Sequence, residues 1–372
     1  MGLGEEWRLS RLKHAWVSFA FRAATHQNLS NQDDHLLMAT VLLTGYGGFL
    51  GSEIARQLLA TGHQVRGIAR GEYPDLAAAG VETVQGSISD RDLVLEATQG
   101  CDAIINTAAK AGVWGKWQEY YGINTLAVSH LLEAANQNKV QAFVQTSSPS
   151  VTFAGKDQSG IDETAPYPEK WLCFYPQTKA LAERAVLEAA KTGQGRACAL
   201  RPHLIWGKGD PHLFPRVISR TLAGRLRRVG DGRNVIDVVH VRNAARSHVL
   251  ALEKLLAGDE DVNGQAFFIT DGQPVACWDW ISKILTTAGV KVPSKSISFS
   301  AAYGIGAVLE AAYWALGKKD EPPMTRFVAA QLAQDHYFSI GKARDLLGYD
   351  PQVDIESEFA DCKEWLTGIA NG

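Results

Sequence analysis

Hydrophobic and polar positions follow two periods along most of this chain. Short apolar runs of strand length recur, and stretches with helical periodicity separate them. This alternation predicts an α/β fold, a Rossmann-type doubly wound parallel sheet with helices on both faces. We predict strands in six apolar runs, at 41–44, 64–69, 82–85, 102–106, 142–146 and 197–200.

A glycine-rich loop separates the first predicted strand from the helical sequence after it. Gly45, Gly48 and Gly51 are spaced three residues apart. This spacing permits a tight turn, a close approach of the backbone to a pyrophosphate, and a helix N-terminus that faces the anion. Because a second apolar strand follows, the context predicts a dinucleotide site at the carboxyl ends of the strands.

Tyr175 and Lys179 open a strongly helical segment at 180–190. Their separation of four residues puts both on one helical face. An ammonium beside a phenol favours the ionised phenol, so we expect Lys179 to lower the pKa of Tyr175 and prepare it for proton transfer. A hydroxyl cluster, 146–148, ends the fifth predicted strand at the same edge, and we expect one of these hydroxyls to bind substrate.

Arg70 ends the second predicted strand, where a site that prefers NAD usually has an acidic residue. An arginine carries a permanent charge and a planar fork suited to a 2′-phosphate. We therefore expect NADP(H) as the preferred cofactor, with NAD(H) as the alternative. The alternative for Arg70 itself is a solvated surface side chain.

Composition narrows the class of protein. The net charge of −3 gives no general attraction to nucleic acid, so we expect a small-molecule enzyme and no nucleic-acid partner. The five cysteines are scattered and form no C-x-x-C pair, so we expect neither disulfides nor a metal site. These features favour a reducing cytoplasm.

We divide the chain into three parts. Residues 1–37 form a basic, amphipathic N-terminal extension, 38–235 mainly the dinucleotide-binding Rossmann domain, and 236–372 mainly a smaller C-terminal substrate-binding lobe with some strands and helices returning to the Rossmann domain. The extension is either an over-extended gene start, with translation from Met38, or a surface-docking helix. Peripheral association with a membrane is thus an alternative to a purely cytoplasmic location.

Four motifs resemble the extended short-chain dehydrogenase/reductase superfamily over nearly everything after Met38. They are Gly45-x-x-Gly48-x-x-Gly51, Thr146-Ser147-Ser148, Tyr175-x-x-x-Lys179 and Leu200-Arg201-Pro202. The resemblance implies that Tyr175, Lys179 and Ser148 are catalytic. Ser147 is the alternative to Ser148, because adjacent strand residues face opposite sides.

The same resemblance implies the cofactor contacts and the order of the site. Asn124, after the fourth strand, is expected to order the site. Two positions depart from the pattern, because Ser87 replaces a frequent acidic residue and Asn106 a frequent histidine. The expected cofactor-binding residues are Gly45, Gly48, Phe49, Leu50, Gly51, Arg70, Ser87, Ile88, Ala108, Lys179 and Pro202.

Within the superfamily, the segments 110–115, 204–207, 229–234 and 321–326 are most similar to the 3β-hydroxysteroid dehydrogenase-like branch. Inside it they resemble the bacterial 2-alkyl-3-oxoalkanoate reductases of long-chain olefin biosynthesis. This implies reduction of the C3 ketone of a β-keto acid, a homodimer, and contact with pathway enzymes. The alternatives are an NAD-dependent 3β-hydroxysteroid or carboxysterol dehydrogenase and a non-catalytic dinucleotide sensor.

Three features bear on the substrate, for which we expect a hydrophobic small molecule. Six arginines between 208 and 233 either attract an anionic headgroup or form a solvated face. The apolar segment 298–316 is either a buried helix of the small lobe or an interfacial helix. Trp114, Trp117, Trp171 and Trp206 favour a long apolar substrate, with core packing as the alternative.

Overall fold

The computed structural model describes residues 38–193 and 195–372. Both interpretations of the extension, a gene start at Met38 and a surface-docking helix, concern residues outside this description. The strands are β1 (Thr40–Thr44), β2 (Gln64–Ala69), β3 (Glu82–Gln85), β4 (Ala103–Asn106), β5 (Ala142–Thr146), β6 (Gln158–Ile161), β7 (Arg196–Pro202), β8 (Ile205–Trp206), β9 (Arg228–Val229), β10 (Val235–Ile236), β11 (Val239–His240), β12 (Ala266–Ile269), β13 (Val275–Ala276), β14 (Ser296–Ile297) and β15 (His336–Phe338).

Helices alternate with these strands through the first half of the chain and dominate the second. A π-helical turn covers Gly122–Leu126 and a 3₁₀ turn covers Pro149–Thr152. The α-helices are α1 (Phe49–Ala60), α2 (Pro74–Ala78), α3 (Arg91–Ala97), α4 (Trp117–Tyr121), α5 (Ala127–Gln137), α6 (Phe174–Lys191), α7 (Leu213–Leu222), α8 (Val241–Leu256), α9 (Cys277–Thr287), α10 (Phe299–Ala315), α11 (Arg326–Gln331), α12 (Gly341–Leu347) and α13 (Ile355–Asn371).

Seven parallel strands form the main sheet, in the order β12-β7-β5-β4-β1-β2-β3. The predicted doubly wound sheet is therefore confirmed, and each of the six predicted strands agrees with an observed one to within two residues at either end. The strand order reverses direction at β1, between β2 and β4. In such sheets, ligands bind outside the carboxyl ends of the strands at that point.

The central strands are apolar on both faces because helices cover both. Val41 and Leu43 of β1 pack in one core with α1, α8 and α12, whereas Leu42 packs in a second core with α3, α5 and α6. These three side chains are fully buried. Burial of each is worth about 1.5–3 kcal/mol, which holds the carboxyl edge of the sheet in a fixed register.

Elements after residue 236 contribute to two regions. Strand β12 and helix α8 join the main sheet and its core, while α9 and α13 form a third core around Trp206, Phe214 and Trp280. Trp206 is fully buried there, so core packing is the correct interpretation of this tryptophan. The domain boundary at residue 235 stays a prediction.

Helix α10 confirms the helical expectation for 298–316 but corrects its burial. Only Ala302 and Gly306 are buried, and Trp314 is 81% exposed. The buried-helix interpretation is wrong because α10 contacts the protein along a narrow stripe, at which Gly306 lies against the backbone of Thr325. Among the described residues, none of the helices combines the length and the apolar character needed to cross a membrane.

Candidate active site

A cavity of about 1020 Å³ lies at the carboxyl ends of the main-sheet strands. The glycine loop before α1 and the start of α6 both contribute to its wall. The structure therefore brings together every residue that the sequence assigned to catalysis or to the cofactor. These are Gly45, Gly48, Phe49, Leu50, Gly51, Arg70, Ser87, Ile88, Ala108, Ser148, Tyr175, Lys179 and Pro202.

Gly45 and Gly51 lie at positions of the loop where a larger side chain would not fit. Gly45 has a φ of 68°, in the left-handed region that favours glycine. A Cβ atom at Gly51 would lie 2.2 Å from the Gly45 carbonyl oxygen. Gly48 caps α1 without a side-chain hydrogen bond, so the first amides of the helix are left for an anion. This cradle fits the pyrophosphate of a dinucleotide.

Tyr73 covers part of the glycine loop, and the sequence analysis missed it. A Cβ atom at Gly47 would lie 1.9 Å from the Tyr73 ring, so the ring is packed flush against the loop. Tyr73 also makes an edge contact with Tyr46, at a centroid distance of 5.3 Å. In the sequence, the one sign that Tyr73 lies near the cofactor site is its position four residues beyond the end of β2.

Among the described residues of the cavity wall that follow β2, Arg70 carries the positive charge. Arg70 is exposed, and its guanidinium makes no ion pair or hydrogen bond with the described residues. It is therefore free to meet a phosphate. The Ser87 hydroxyl accepts a hydrogen bond from the Ser89 N–H at 3.2 Å, which keeps it in its own turn, while Ile88 is buried in the cavity wall.

Tyr175 lies in the first turn of α6 and is partly open to the cavity. Burial raises the pKa of its phenol, and a hydrogen bond with Ser148 opposes that rise. The expectation that Lys179 lowers the pKa of Tyr175 is therefore wrong, because desolvation is the larger effect. At neutral pH the phenol carries its proton and is prepared to donate it.

Lys179 is buried one turn further along α6. Its ammonium donates a hydrogen bond to the Thr146 carbonyl at the end of β5. Burial lowers the pKa of Lys179 to about 8, and the Glu183 carboxylate opposes that shift. The lysine thus ties the tyrosine helix to the strand that carries the hydroxyl cluster.

The structure distinguishes the two candidate serines. Ser148 acts on the Tyr175 phenol by lowering its pKa, and its Oγ lies 2.8 Å from Oγ of Ser150. Ser147 is also in the cavity wall, but its hydroxyl is buried and has no partner among the described residues. Its N–H donates to the Leu200 carbonyl of β7 at 2.6 Å. The geometry therefore supports Ser148 as the residue paired with Tyr175.

Asn124 holds the site together from behind the cavity wall. Its carboxamide exchanges two hydrogen bonds with the backbone of Lys110, at 2.7 and 3.0 Å, and donates a third to Thr178 of α6 at 3.1 Å. Asn106 is also buried, and it links β1 to β5 by bonding to Thr44 and Gln145. Both amides fix strand and helix ends that carry cavity residues.

The opposite end of the cavity is mainly apolar. Within the described residues, none of the six arginines between 208 and 233 contributes to its wall, and Arg216 and Arg220 pair with Glu321 instead. Two buried histidines, His203 and His336, interrupt the apolar surface. The apolar residues of this end are Val113, Phe153, Leu204, Ile205, Leu213, Phe327 and Phe338.

Sequence reasoning missed both histidines. His203 could have been found, since it directly follows Pro202 at the end of a predicted strand. His336 could not, because it reaches the cavity through β15 of a separate four-stranded sheet, in the order β13-β10-β15-β6.

Comparison with known proteins finds relatives over most of the chain. Residues 42–300 match the profile of the 3-beta hydroxysteroid dehydrogenase/isomerase family. The chain is 43% identical to a 2-alkyl-3-oxoalkanoate reductase of Shewanella oneidensis over 87% of this chain and 85% of that protein. It is 32% identical to a 3-beta-hydroxysteroid dehydrogenase of Mycolicibacterium neoaurum, over 89% and 92% of the two chains.

A solved structure supports the fold. The UDP-glucuronic acid 4-epimerase of Bacillus cereus, in complex with NAD, superposes with a TM-score of 0.67, over 89% of this chain and 99% of that one, at 21% identity. The glycine cradle, the Tyr175 and Lys179 pair and the family match point the same way. The chain belongs to the 3-beta hydroxysteroid dehydrogenase/isomerase family and is an NAD(P)-dependent oxidoreductase of the extended short-chain dehydrogenase/reductase type.

Proposed function

We propose that this enzyme reduces the C3 ketone of a long-chain 2-alkyl-3-oxoalkanoate to the 3-hydroxy acid with NADPH, in olefin biosynthesis. The observation that carries this proposal is the 43% identity to the Shewanella oneidensis reductase over 87% of the chain. The apolar end of the cavity supports it, since a β-keto acid with two alkyl chains needs such a surface. The free Arg70 guanidinium supports NADPH.

The reaction requires a proton donor, a carbonyl ligand and a fixed geometry. Bound cofactor supplies the hydride. Tyr175 keeps its proton at neutral pH and donates it to the C3 oxygen, while Ser148 hydrogen-bonds the same oxygen. Lys179 holds α6 against β5 and lies within the cavity wall, where it binds the ribose. Pro202 lies in the same wall, where it would contact the nicotinamide.

A second candidate function is the NAD-dependent oxidation of a 3β-hydroxysteroid or carboxysterol. The family profile and the Mycolicibacterium neoaurum relative favour it. Arg70 weighs against it, because this arginine stands where a site that prefers NAD usually has an acidic residue.

The test is a turnover measurement with the purified full chain. NADPH and NADH consumption are followed with a long-chain 2-alkyl-3-keto acid and with a 3-ketosteroid, and NAD reduction with a 3β-hydroxysteroid. We expect the highest kcat/KM for the keto acid with NADPH. Preferential turnover of a steroid would move the enzyme to the second function, and a higher kcat/KM with NADH would remove the role of Arg70.

The proposed partners include the hydrophobic substrate and a second copy of the chain. The apolar side chains of Leu126 and Phe174 are 44% and 42% exposed on neighbouring helical segments. A symmetric dimer that packs these helical segments together would cover both side chains. Size-exclusion chromatography with light scattering measures the state directly, and a monomer would exclude the homodimer.

A further inference from the structure

Two histidines lie side by side at the apolar end of the cavity. His203 follows Pro202 at the end of β7, and His336 lies in β15. Nε2 of His203 is 2.7 Å from Nδ1 of His336, and both rings are buried. The proposed reaction assigns no role to this pair.

Hydrogen bonding determines where the protons of the neutral pair lie. Nε2 of His336 is 2.8 Å from the carbonyl oxygen of Gln331, which can only accept. His336 therefore carries its proton on Nε2 and accepts at Nδ1, so His203 donates from Nε2. Nδ1 of His203 is left as an acceptor, and no described residue hydrogen-bonds to it.

His203 and the carbonyl-binding serine leave the sheet on neighbouring strands. Thr146 of β5 pairs with Leu200 of β7 in the parallel register. Ser148 and Pro202 thus each lie two residues beyond the paired positions, and His203 comes next. Ser148 and His203 therefore line the same edge of the cavity, on neighbouring strand ends.

The backbone after His203 is held in an uncommon conformation. Leu204 has a φ of 44°, in the left-handed region that residues other than glycine rarely adopt. Such conformations persist where the surrounding structure holds them, and they concentrate at ligand sites. The segment that presents His203 is therefore held in place by the structure around it.

The geometry points to His203 as the residue that binds the substrate carboxylate, by taking up a proton from solvent on Nδ1 when that anion enters the cavity. This inference rests on the proposed function, which supplies the carboxylate. Protonated His203 donates from Nδ1 to the carboxylate and from Nε2 to His336. Both N–H groups then have acceptors, and the cation is paired with the anion.

Without the anion the pair stays neutral. Burial and the neighbouring His336 hold the pKa of His203 well below its usual range, and burial also lowers the pKa of His336. Among the charged and titratable groups around it, His336 is the one that lowers the pKa of His203. The others on elements packed around the pair are Asp335 before β15, Asp237 bonded to Phe338, Tyr175 and Lys179 on α6, and Asp210 in the cavity wall.

The test is isothermal titration calorimetry on the full chain saturated with NADPH. The ligand is 2-hexyl-3-hydroxydecanoate, which cannot react with the reduced cofactor, and its primary amide is the neutral control. Titrations in phosphate and in Tris at pH 7 give the number of protons exchanged. We expect the protein to take up about one proton when it binds the acid and none when it binds the amide. The affinity for the acid should rise by up to about tenfold for each pH unit as the pH falls.

Two variants locate the proton. In His203→Gln the side-chain amide can still donate to His336 but does not titrate. We expect it to lose the proton uptake and to bind the acid at least about tenfold more weakly, while its affinity for the amide is unchanged. His203→Asn is a second variant with the same expectation, and NADPH binding and thermal unfolding show that each variant folds. His212→Gln is the matched control, because His212 is an exposed histidine of the same cavity wall.

Each outcome decides the inference. Absence of proton uptake in the wild type, retention of uptake in the folded His203 variants, or its loss in His212→Gln would overturn the role of His203. Failure of the acid to bind would overturn it as well. Reduction of the keto acid is measured separately, so the proposed function stands if the keto acid is reduced without proton uptake, and falls if it is not reduced.

Discussion

The Tyr175 phenol and the Ser148 hydroxyl lie in the same cavity wall, and burial raises the pKa of the phenol, which keeps it protonated. In Tyr175→Phe the proton donor is lost while the cavity shape is kept. We expect kcat to fall at least about a hundredfold, with the Kd for NADPH unchanged. Steady-state kinetics and a fluorescence titration measure the two quantities.

A matched variant separates loss of the donor from loss of a hydroxyl. Tyr121 is 37% exposed and lies outside the cavity wall. Tyr121→Phe should retain wild-type kcat. Equal turnover of Tyr175→Phe and the wild type would reject Tyr175 as the acid.

Arg70 carries the cofactor preference in this proposal. A lost charge-assisted hydrogen bond costs about 1.5–3 kcal/mol. We therefore expect Arg70→Ala to raise KM for NADPH at least about tenfold and to leave KM for NADH unchanged. Arg56→Ala, at an exposed arginine of α1, is the control and should change neither constant. An equal effect of Arg70→Ala on both cofactors would contradict a contact with the 2′-phosphate.

At the scale of elements, a buried ion pair fastens the tyrosine helix to the main sheet. Glu183 of α6 accepts from Arg201 of β7 at 2.6 Å, and both side chains are at most 3% exposed. Tyr167 donates to the same carboxylate. Loss of one partner from a buried pair leaves an uncompensated charge. We expect Glu183→Ala to lower the free energy of unfolding by about 3–5 kcal/mol, measured by urea denaturation.

Helix α6 also supplies the control for this prediction. Glu188 pairs with Lys191 on the exposed face, where both side chains are 68% exposed. Glu188→Ala should change the free energy of unfolding by less than about 0.5 kcal/mol. Similar losses in the two variants would show that helix propensity, and not the buried pair, sets the stability.

The elements that the sequence predicted best are those with a local physical signal. The runs 64–69, 82–85 and 142–146 match β2, β3 and β5 because each is a short strand bounded by turn residues. The glycine loop was predictable because the spacing of its glycines is also a local signal. Strand β12 was missed, since it pairs with β7 across a long sequence separation.

Tertiary contacts explain what the sequence did not show. The burial of Tyr175 reverses the direction of its pKa, and His336 enters the cavity from a second sheet. The segment 298–316 is apolar enough for a core helix, yet α10 lies at the surface, because it buries only Ala302 and Gly306 and also contacts α11 through polar bonds such as that of Glu310 with Arg326. None of these facts is encoded in a local pattern.

At the scale of the whole molecule, Asp237 lies between β10 of the four-stranded sheet and β11, which pairs with β8. It accepts from the Phe338 N–H of β15 at 2.7 Å, and its other oxygen is buried without a described partner. Burial raises the pKa of Asp237 to about 7. The folded protein therefore holds a proton that the unfolded chain releases near its ordinary pKa, so stability is lost as the pH rises from about 4 to 7.

Asp237→Asn removes this dependence. Between pH 5.5 and 8 we expect the free energy of unfolding of the wild type to fall by on the order of 2 kcal/mol relative to the variant. Urea denaturation at both pH values gives the difference. Asp361→Asn, at an exposed position of α13, should follow the wild type. A constant difference between Asp237→Asn and the wild type would show that Asp237 does not hold the proton.

The narrow attachment of α10 has a consequence for hydrogen exchange. A helix that buries little apolar surface opens locally at a lower free energy than the sheet, so its amides should exchange well before those of β1, β4 and β5. Because Gly306 lies against the start of α11, which carries Phe327 and Gln331 of the cavity wall, the two helices should open together. A ligand that fills the cavity should then slow exchange in α10, and the occupancy of the site can be measured on a helix outside its wall.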